Sequence, residues 1–178
     1  MLTNILIALA VILVLGFLFV ATRTNDFRIE RKATIAAPPS AIFPLVNDFQ
    51  QWQTWSPWEK IDPALKRTFS GSPAGVGSVY DWLGNNEVGE GRMTITESKS
   101  NEYIRVKMEF LKPFKGLGTT EFVFTPNANG TTVAWSMTGE KGLLGKFMHL
   151  VMDMDKMIGG NYDKGLADLK ILSEQISA

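Results

Sequence analysis

The chain has 178 residues, 45% of them hydrophobic and 20% charged, with eighteen basic and eighteen acidic side chains and no cysteine. Balanced charge excludes nucleic-acid binding by bulk phosphate attraction, which needs a basic excess or stripe, so no nucleic-acid partner is expected. The lack of cysteine excludes disulfides, thiolate zinc sites, iron–sulfur ligation and a cysteine nucleophile.

Residues Leu2 to Ala21 read LTNILIALAVILVLGFLFVA, with no charge and only Thr3 and Asn4 polar. At ~1.5 Å per residue this run is roughly 30 Å long, the hydrocarbon thickness of a bilayer. A helix apolar on every face has no stable surface in water. The run therefore predicts one transmembrane anchor over residues 1–22. A cleaved signal peptide needs a basic leading region and small residues before the cut, but nothing basic precedes Leu2, and Phe19 and Val20 crowd Ala21. A buried soluble helix is the third reading. Arg23, Arg28, Arg31 and Lys32 follow the span, so a single-pass topology with a cytoplasmic domain is expected. Asp26 and Glu30 dilute that bias, and an extracytoplasmic domain is the alternative. Residues 23–178 amount to about one domain.

Phe27 to Ile35 alternates apolar and polar residues, the period of a half-buried strand. Ala37-Pro38-Pro39-Ser40 ends it, and Ala41, Ile42, Leu45, Val46 and Phe49 recur at helical spacing, predicting a short helix over Pro39 to Asn47 that is either kinked at Pro44 or begins there. Phe49 to Asp62 is rich in aromatics without a period and reads as an ordered loop with at most one helical turn. Strand patterns follow over Leu65–Gly71, Gly77–Gly84, Gly89–Ser98, Tyr103–Leu111, Thr119–Thr125 and Thr131–Thr138, with a hairpin turn at Asn127 to Gly130. The connections are too short for parallel crossovers, so the strands form an antiparallel meander. Phe147 to Ile176 carries an apolar stripe stepping by three or four, with a kink or close backbone approach expected at Gly159-Gly160. Such a helix must lay its stripe on the sheet.

Several motifs now align. They are Ala37-Pro38-Pro39-Ser40-Ala41-Ile42-Phe43, the box Trp52-Gln53-Thr54-Trp55-Ser56-Pro57-Trp58, Gly75-Val76-Gly77 before a strand holding Trp82, Met152-Asp153, and Gly165-Leu166-Ala167-Asp168-Leu169-Lys170. With the order of elements, they resemble the polyketide-cyclase/dehydrase-like branch of the START-related (SRPBCC) superfamily over Asp26 to Ala178. The resemblance implies an α+β helix-grip fold: a curved antiparallel β-sheet wrapped around a long C-terminal α-helix, here preceded by one N-terminal transmembrane helix. It also implies a large, mainly apolar cavity between sheet and helix. The superfamily includes lipid carriers, hormone receptors, cyclases and toxins, so the fold alone does not assign a function.

The residues agree with an apolar interior. Ile104, Val106, Met108 and Phe110 share one strand face, and Met137, Met148, Met152, Met154 and Met157 cluster late in the chain, where flexible thioethers suit varied guests. Trp55 and Trp58 read either as a cavity rim or as a structural plug. Tyr80, Trp82, Glu109, Thr120 and Trp135 are candidate polar handles; Met108, Phe110, Phe122, Met137, Met152 and Tyr162 complete the expected cavity lining. His149, the single histidine, has Asp153 one turn on but no nucleophile assignable beside it, so solvated surface is its expected place. No metal site or cofactor motif is found, and the glycines around Glu87 and Glu90 form a hairpin turn, not a phosphate loop. The expected function is a membrane-tethered binding module for a hydrophobic small molecule or lipid, held to the membrane by residues 2–21. A cyclase/dehydratase-type enzyme on an apolar substrate, and a tethered interaction or stress-related domain with a filled core, stand as alternatives.

Overall fold

The computed structural model describes residues 1–22, 24–140, 142, 145–147 and 153–177. Among them, seven strands make one antiparallel sheet: β1 (Asp26–Ile35), β2 (Lys66–Gly71), β3 (Ser78–Leu83), β4 (Glu90–Lys99), β5 (Tyr103–Lys112), β6 (Gly116–Asn127) and β7 (Gly130–Glu140). Their order is β1-β7-β6-β5-β4-β3-β2. The chain thus meanders from β2 to β7, and β1 closes the free edge of β7. Period-two patterning drives this arrangement, because each strand sends alternate side chains to opposite faces. On β5, Ile104 and Val106 are buried, while Arg105 pairs with Glu121 and Lys107 with Glu109 on the outer face.

Among the described residues the helices include α1 (Leu2–Ala21), α2 (Pro39–Asn47), α3 (Trp52–Trp55), α4 (Trp58–Ile61) and α5 (Met154–Ser177). Tyr162, Leu166 and Leu169 of α5 lie fully inside, so the helix rests its stripe on the concave face as expected. Polar contacts to β1 and its C-terminal end hold it in place. Arg31 donates to both carboxylate oxygens of Asp155, at 3.1 and 2.7 Å, and to its carbonyl. Lys170 donates to the Thr34 carbonyl, and the Ala36 N–H donates to Glu174. These contacts lie at the surface, and an exposed ion pair such as Arg31–Asp155 is individually weak; burial of the stripe supplies the stability.

One expectation needs correction. Phe49 to Asp62 is not a loop with at most one turn: a 3₁₀ turn, Phe49–Gln51, leads into α3, and Ser56-Pro57 separates α3 from α4. Asp48 caps the turn by accepting from the Gln50 N–H at 2.8 Å. Helices of four residues are too short to print a period, so the sequence pattern hides them. α5 is helical through Gly159-Gly160, and of the two expected outcomes there the close approach is present: a Cβ on Gly159 would stand 2.1 Å from Arg31 Nη2.

α1 runs the whole apolar stretch, and its large side chains from Ile5 to Phe19, where described, are more than half exposed. Among the described residues, no helix is long and apolar enough to cross a membrane. The expected transmembrane anchor is therefore not a structural finding.

Two glycines of α5 separate packing from propensity. A Cβ on Gly165 would meet Trp135 Cζ3 at 2.8 Å and Pro57 Cδ at 3.0 Å, whereas one on Gly160 meets nothing within 4 Å. Overpacking costs about 1–3 kcal/mol, against a helix-propensity gain of about 0.5–1 kcal/mol. Gly165→Ala should lower the melting temperature by a few degrees and Gly160→Ala should raise it slightly. A thermal melt of both variants checks the opposite signs.

Candidate functional site

The interior is filled at one end and hollow at the other. Trp135 is the partition. Its indole stacks on Tyr162 at 4.1 Å between ring centroids and on Phe122 at 4.8 Å, and Trp55 meets it edge-on at 5.5 Å. Trp52 and Trp55 bury completely because their N–H groups donate to the carbonyls of Val46 and Leu45, both at 2.9 Å, which removes the cost of hiding a polar group. Beyond this cluster α2 and the far ends of the strands form solid core, with Ile35, Ile42, Val46, Ile95, Ile104 and Val133 excluded from solvent.

On the other side of Trp135 lies a cavity of about 180 Å³. Trp82, Met93, Met108 and Met137 wall it from the sheet, and Ile158 and Tyr162 from α5. Half-buried Trp58, Val88 and Phe110 border it as well. Two polar stations face this apolar space. Thr120 donates to the Ser136 carbonyl, accepts from the Trp135 N–H at 3.2 Å, and meets the Tyr162 hydroxyl. Burial pushes the Tyr162 phenol up to about 12. At the second station Tyr80 donates to Glu59 Oε1 at 2.6 Å while Arg67 holds Oε2 of the same carboxylate. Burial, then the adjacent Glu59 carboxylate, push the Tyr80 phenol far above its ordinary range, so at neutral pH it is a neutral donor.

Of the residues expected from the sequence, Trp58, Tyr80, Trp82, Met108 and Phe110 line this space, and so do Thr120, Trp135, Met137 and Tyr162. Trp55 and Phe122 do not. Both are fully buried behind the partition. Glu109 is on the outer face of β5, paired with Lys107 at 2.9 Å, because residue 109 alternates with the inward 108 and 110. Met148, His149 and Met152 lie outside the described residues. Asp153 is described, and it accepts from the Lys156 N–H at the start of α5. Glu59 is the polar group that sequence reasoning missed: its side chain is only 6% exposed. The signal was an acidic residue directly after Trp58 in an aromatic segment, hidden because that segment read as loop. The cavity is also smaller than the resemblance implied, below the roughly 300 Å³ where pockets for drug-sized ligands begin. Among the described residues no group of three or more His, Cys, Asp or Glu is placed to hold a metal.

The family profile described as "Polyketide cyclase / dehydrase and lipid transport" matches residues 26–174. The chain belongs to this family. Among solved structures, protein CV1439 from Chromobacterium violaceum is 17% identical, covering 84% of this chain and 98% of that one, at a TM-score of 0.57. The Aha1 dimer from Colwellia psychrerythraea is 17% identical over 83% of this chain and 96% of that one, at 0.60. The di-domain aromatase/cyclase StfQ from the steffimycin biosynthetic pathway is 14% identical over 85% of this chain and 51% of that one, at 0.62. At these identities the likenesses establish the fold alone. No curated protein matches the sequence.

The chain has three tyrosines, and all three are shifted upward. Tyr103 reaches about 12 through burial and the neighbouring Glu121 carboxylate. An unfolded tyrosine ionises near pH ~10, so the folded chain keeps its phenol protons longer. The resulting stability is complete below pH ~10 and is lost as pH rises toward about 12. An absorbance titration should show no phenolate step near pH ~10 while the fold is intact; the step should coincide with loss of near-ultraviolet dichroism.

Proposed function

We propose that this member of the polyketide cyclase/dehydrase and lipid-transport family is a membrane-tethered module that binds a small apolar guest between Trp82, Met108 and Met137 of the sheet and Tyr162 of α5. The observation that carries the reading is the hollow half of the interior, apolar except for the Thr120–Tyr162 and Glu59–Tyr80 stations. Its size limits the guest. A void of ~150 Å³ accepts benzene, so about 180 Å³ suits one aromatic ring or the end of an acyl chain. A whole lipid is larger than this space. The guest stacks on indole and phenol faces and is oriented by one hydrogen bond to a tyrosine hydroxyl.

The tether belongs to the same proposal and rests on the twenty-residue uncharged run of α1. Arg28, Arg31 and Lys32 after it favour a cytoplasmic domain. Tethering would raise the effective concentration of a membrane-dissolved guest at the cavity.

A second reading, an enzyme of the cyclase/dehydratase type, has one observation in its favour: a buried carboxylate and a phenol share a hydrogen bond at the cavity wall. Such a pair can relay a proton when a guest hydroxyl reaches Tyr80. Arg67 argues for a positioning role instead, since its ion pair holds the carboxylate in place.

The test is direct. Toluene should bind the full chain in detergent and alter its tryptophan emission, because Trp58, Trp82 and Trp135 line the cavity. Filling the space by Met108→Trp or Val88→Phe should weaken binding by at least about tenfold, or ~1.4 kcal/mol, with the melting temperature kept. Undiminished binding in both folded variants, or no binding by the parent chain, would overturn the reading.

A further inference from the structure

The hollow half of the domain is also the half next to α1. At that end lie the start of β1, the end of β7, the start of β6 and the end of β5, as the pairings Asp26↔Glu140, Gly118↔Gly139 and Phe110↔Gly116 require. Residues 22–25 join α1 to β1 and span at most about 18 Å. β6 is two strands from β1, roughly 10 Å, and β5 is three. The β5–β6 hairpin tip therefore stands beside the point where α1 leaves the domain. Lys146 marks the same end, donating to the Ala21 carbonyl at 3.0 Å.

That tip is an unusual piece of surface. Residues 111–117, Leu-Lys-Pro-Phe-Lys-Gly-Leu, are all exposed, with Leu111 at 44%, Phe114 at 60% and Leu117 at 64%. Phe147, 50% exposed, follows Lys146 at the same end. Large apolar side chains held in water at a hairpin tip cost stability and invite association unless something covers them. The tip contains no acidic residue, and Lys115 has no ion-pair partner among the described residues. Apolar side chains interleaved with lysine match a surface that is oily inside and anionic outside. A protein partner would not need to lie beside α1; a bilayer holding α1 must.

We infer that the β5–β6 hairpin tip, through Leu111, Phe114 and Leu117, inserts into the headgroup–acyl boundary of the bilayer that holds α1. This inference rests on the tether proposed above. It turns the hollow half of the interior toward the membrane, with Phe110 bordering the cavity immediately before the inserted residues. Lys115 then lies at headgroup depth, where it attracts anionic lipid, while Lys112 beside it is paired with Glu90 at 2.6 Å.

The absence of native cysteine allows single-site labelling of the full chain. Three variants, Val11→Cys in α1, Phe114→Cys at the tip and Asn129→Cys in the β6–β7 turn at the opposite end, each carry one environment-sensitive fluorophore. They are reconstituted into phosphatidylcholine vesicles containing phosphatidylglycerol and a lipid-borne quencher. The expected result is blue-shifted, quenched emission at 11 and 114 and water-like emission at 129. A shielded 11 with a water-like 114, or equal shielding at 114 and 129, overturns the insertion and leaves the tether standing. A water-like 11 overturns the tether, and the insertion with it.

Discussion

The separation between α5 and the sheet controls what this domain can hold, and one contact sets it. Tyr162 lies flat on Trp135, their rings 7° from parallel. Three residues further along α5, Gly165 brings the helix backbone down onto the same indole and onto Pro57, at distances no side chain would permit. The helix is pinned at its middle by this contact and at its C-terminal part by Lys170 and Glu174. From the pin toward the C-terminus the interior closes into solid core. Toward the N-terminus of α5 it stays open, with Ile158 as the helix's apolar contribution to the wall.

The indoles of the aromatic segment divide the labour. Trp52 and Trp55 find carbonyl partners on α2 and are buried, Trp52 at the cavity wall and Trp55 behind it, where they brace Phe122 and Trp135. Trp58, on the next turn, stays half-buried, meets Trp135 and Tyr162 edge-on and borders the cavity. Glu59 beside it is carried to the wall, where Tyr80 and Arg67 satisfy its two oxygens. A buried carboxylate without those partners would be costly, so the station is a unit and not an isolated charge. One short segment thus seals one end of the barrel-like interior and equips the other.

Much of this was legible in the sequence, for identifiable reasons. Strand alternation placed Met108 and Phe110 on the inner face and put Arg105 and Lys107 outside, and the meander order follows from short turns. The presence of α2 was readable because a proline opens it and an apolar stripe continues it, although Pro44 inside it left a kink or a later start open. What escaped lies where period fails. Helices of four residues carry no period, so the direction of Glu59 could not be read. Trp55 and Phe122 were placed at the cavity because residue type does not reveal which side of Trp135 a ring occupies. Glu109 was offered as a handle against its own alternation, and the alternation prevailed. Cavity size is a difference between large packed volumes and has no sequence signature.

Nuclear magnetic resonance of the indole N–H groups, five in the chain, tests the divided interior with an internal control. On titration with toluene, the signals of Trp58 and Trp82 should move together to saturation while that of Trp55, bonded to the Leu45 carbonyl behind the partition, stays still. Movement of Trp55 as large as that of Trp82, or no movement in any of the five, would contradict an interior that is solid on one side of Trp135 and open on the other.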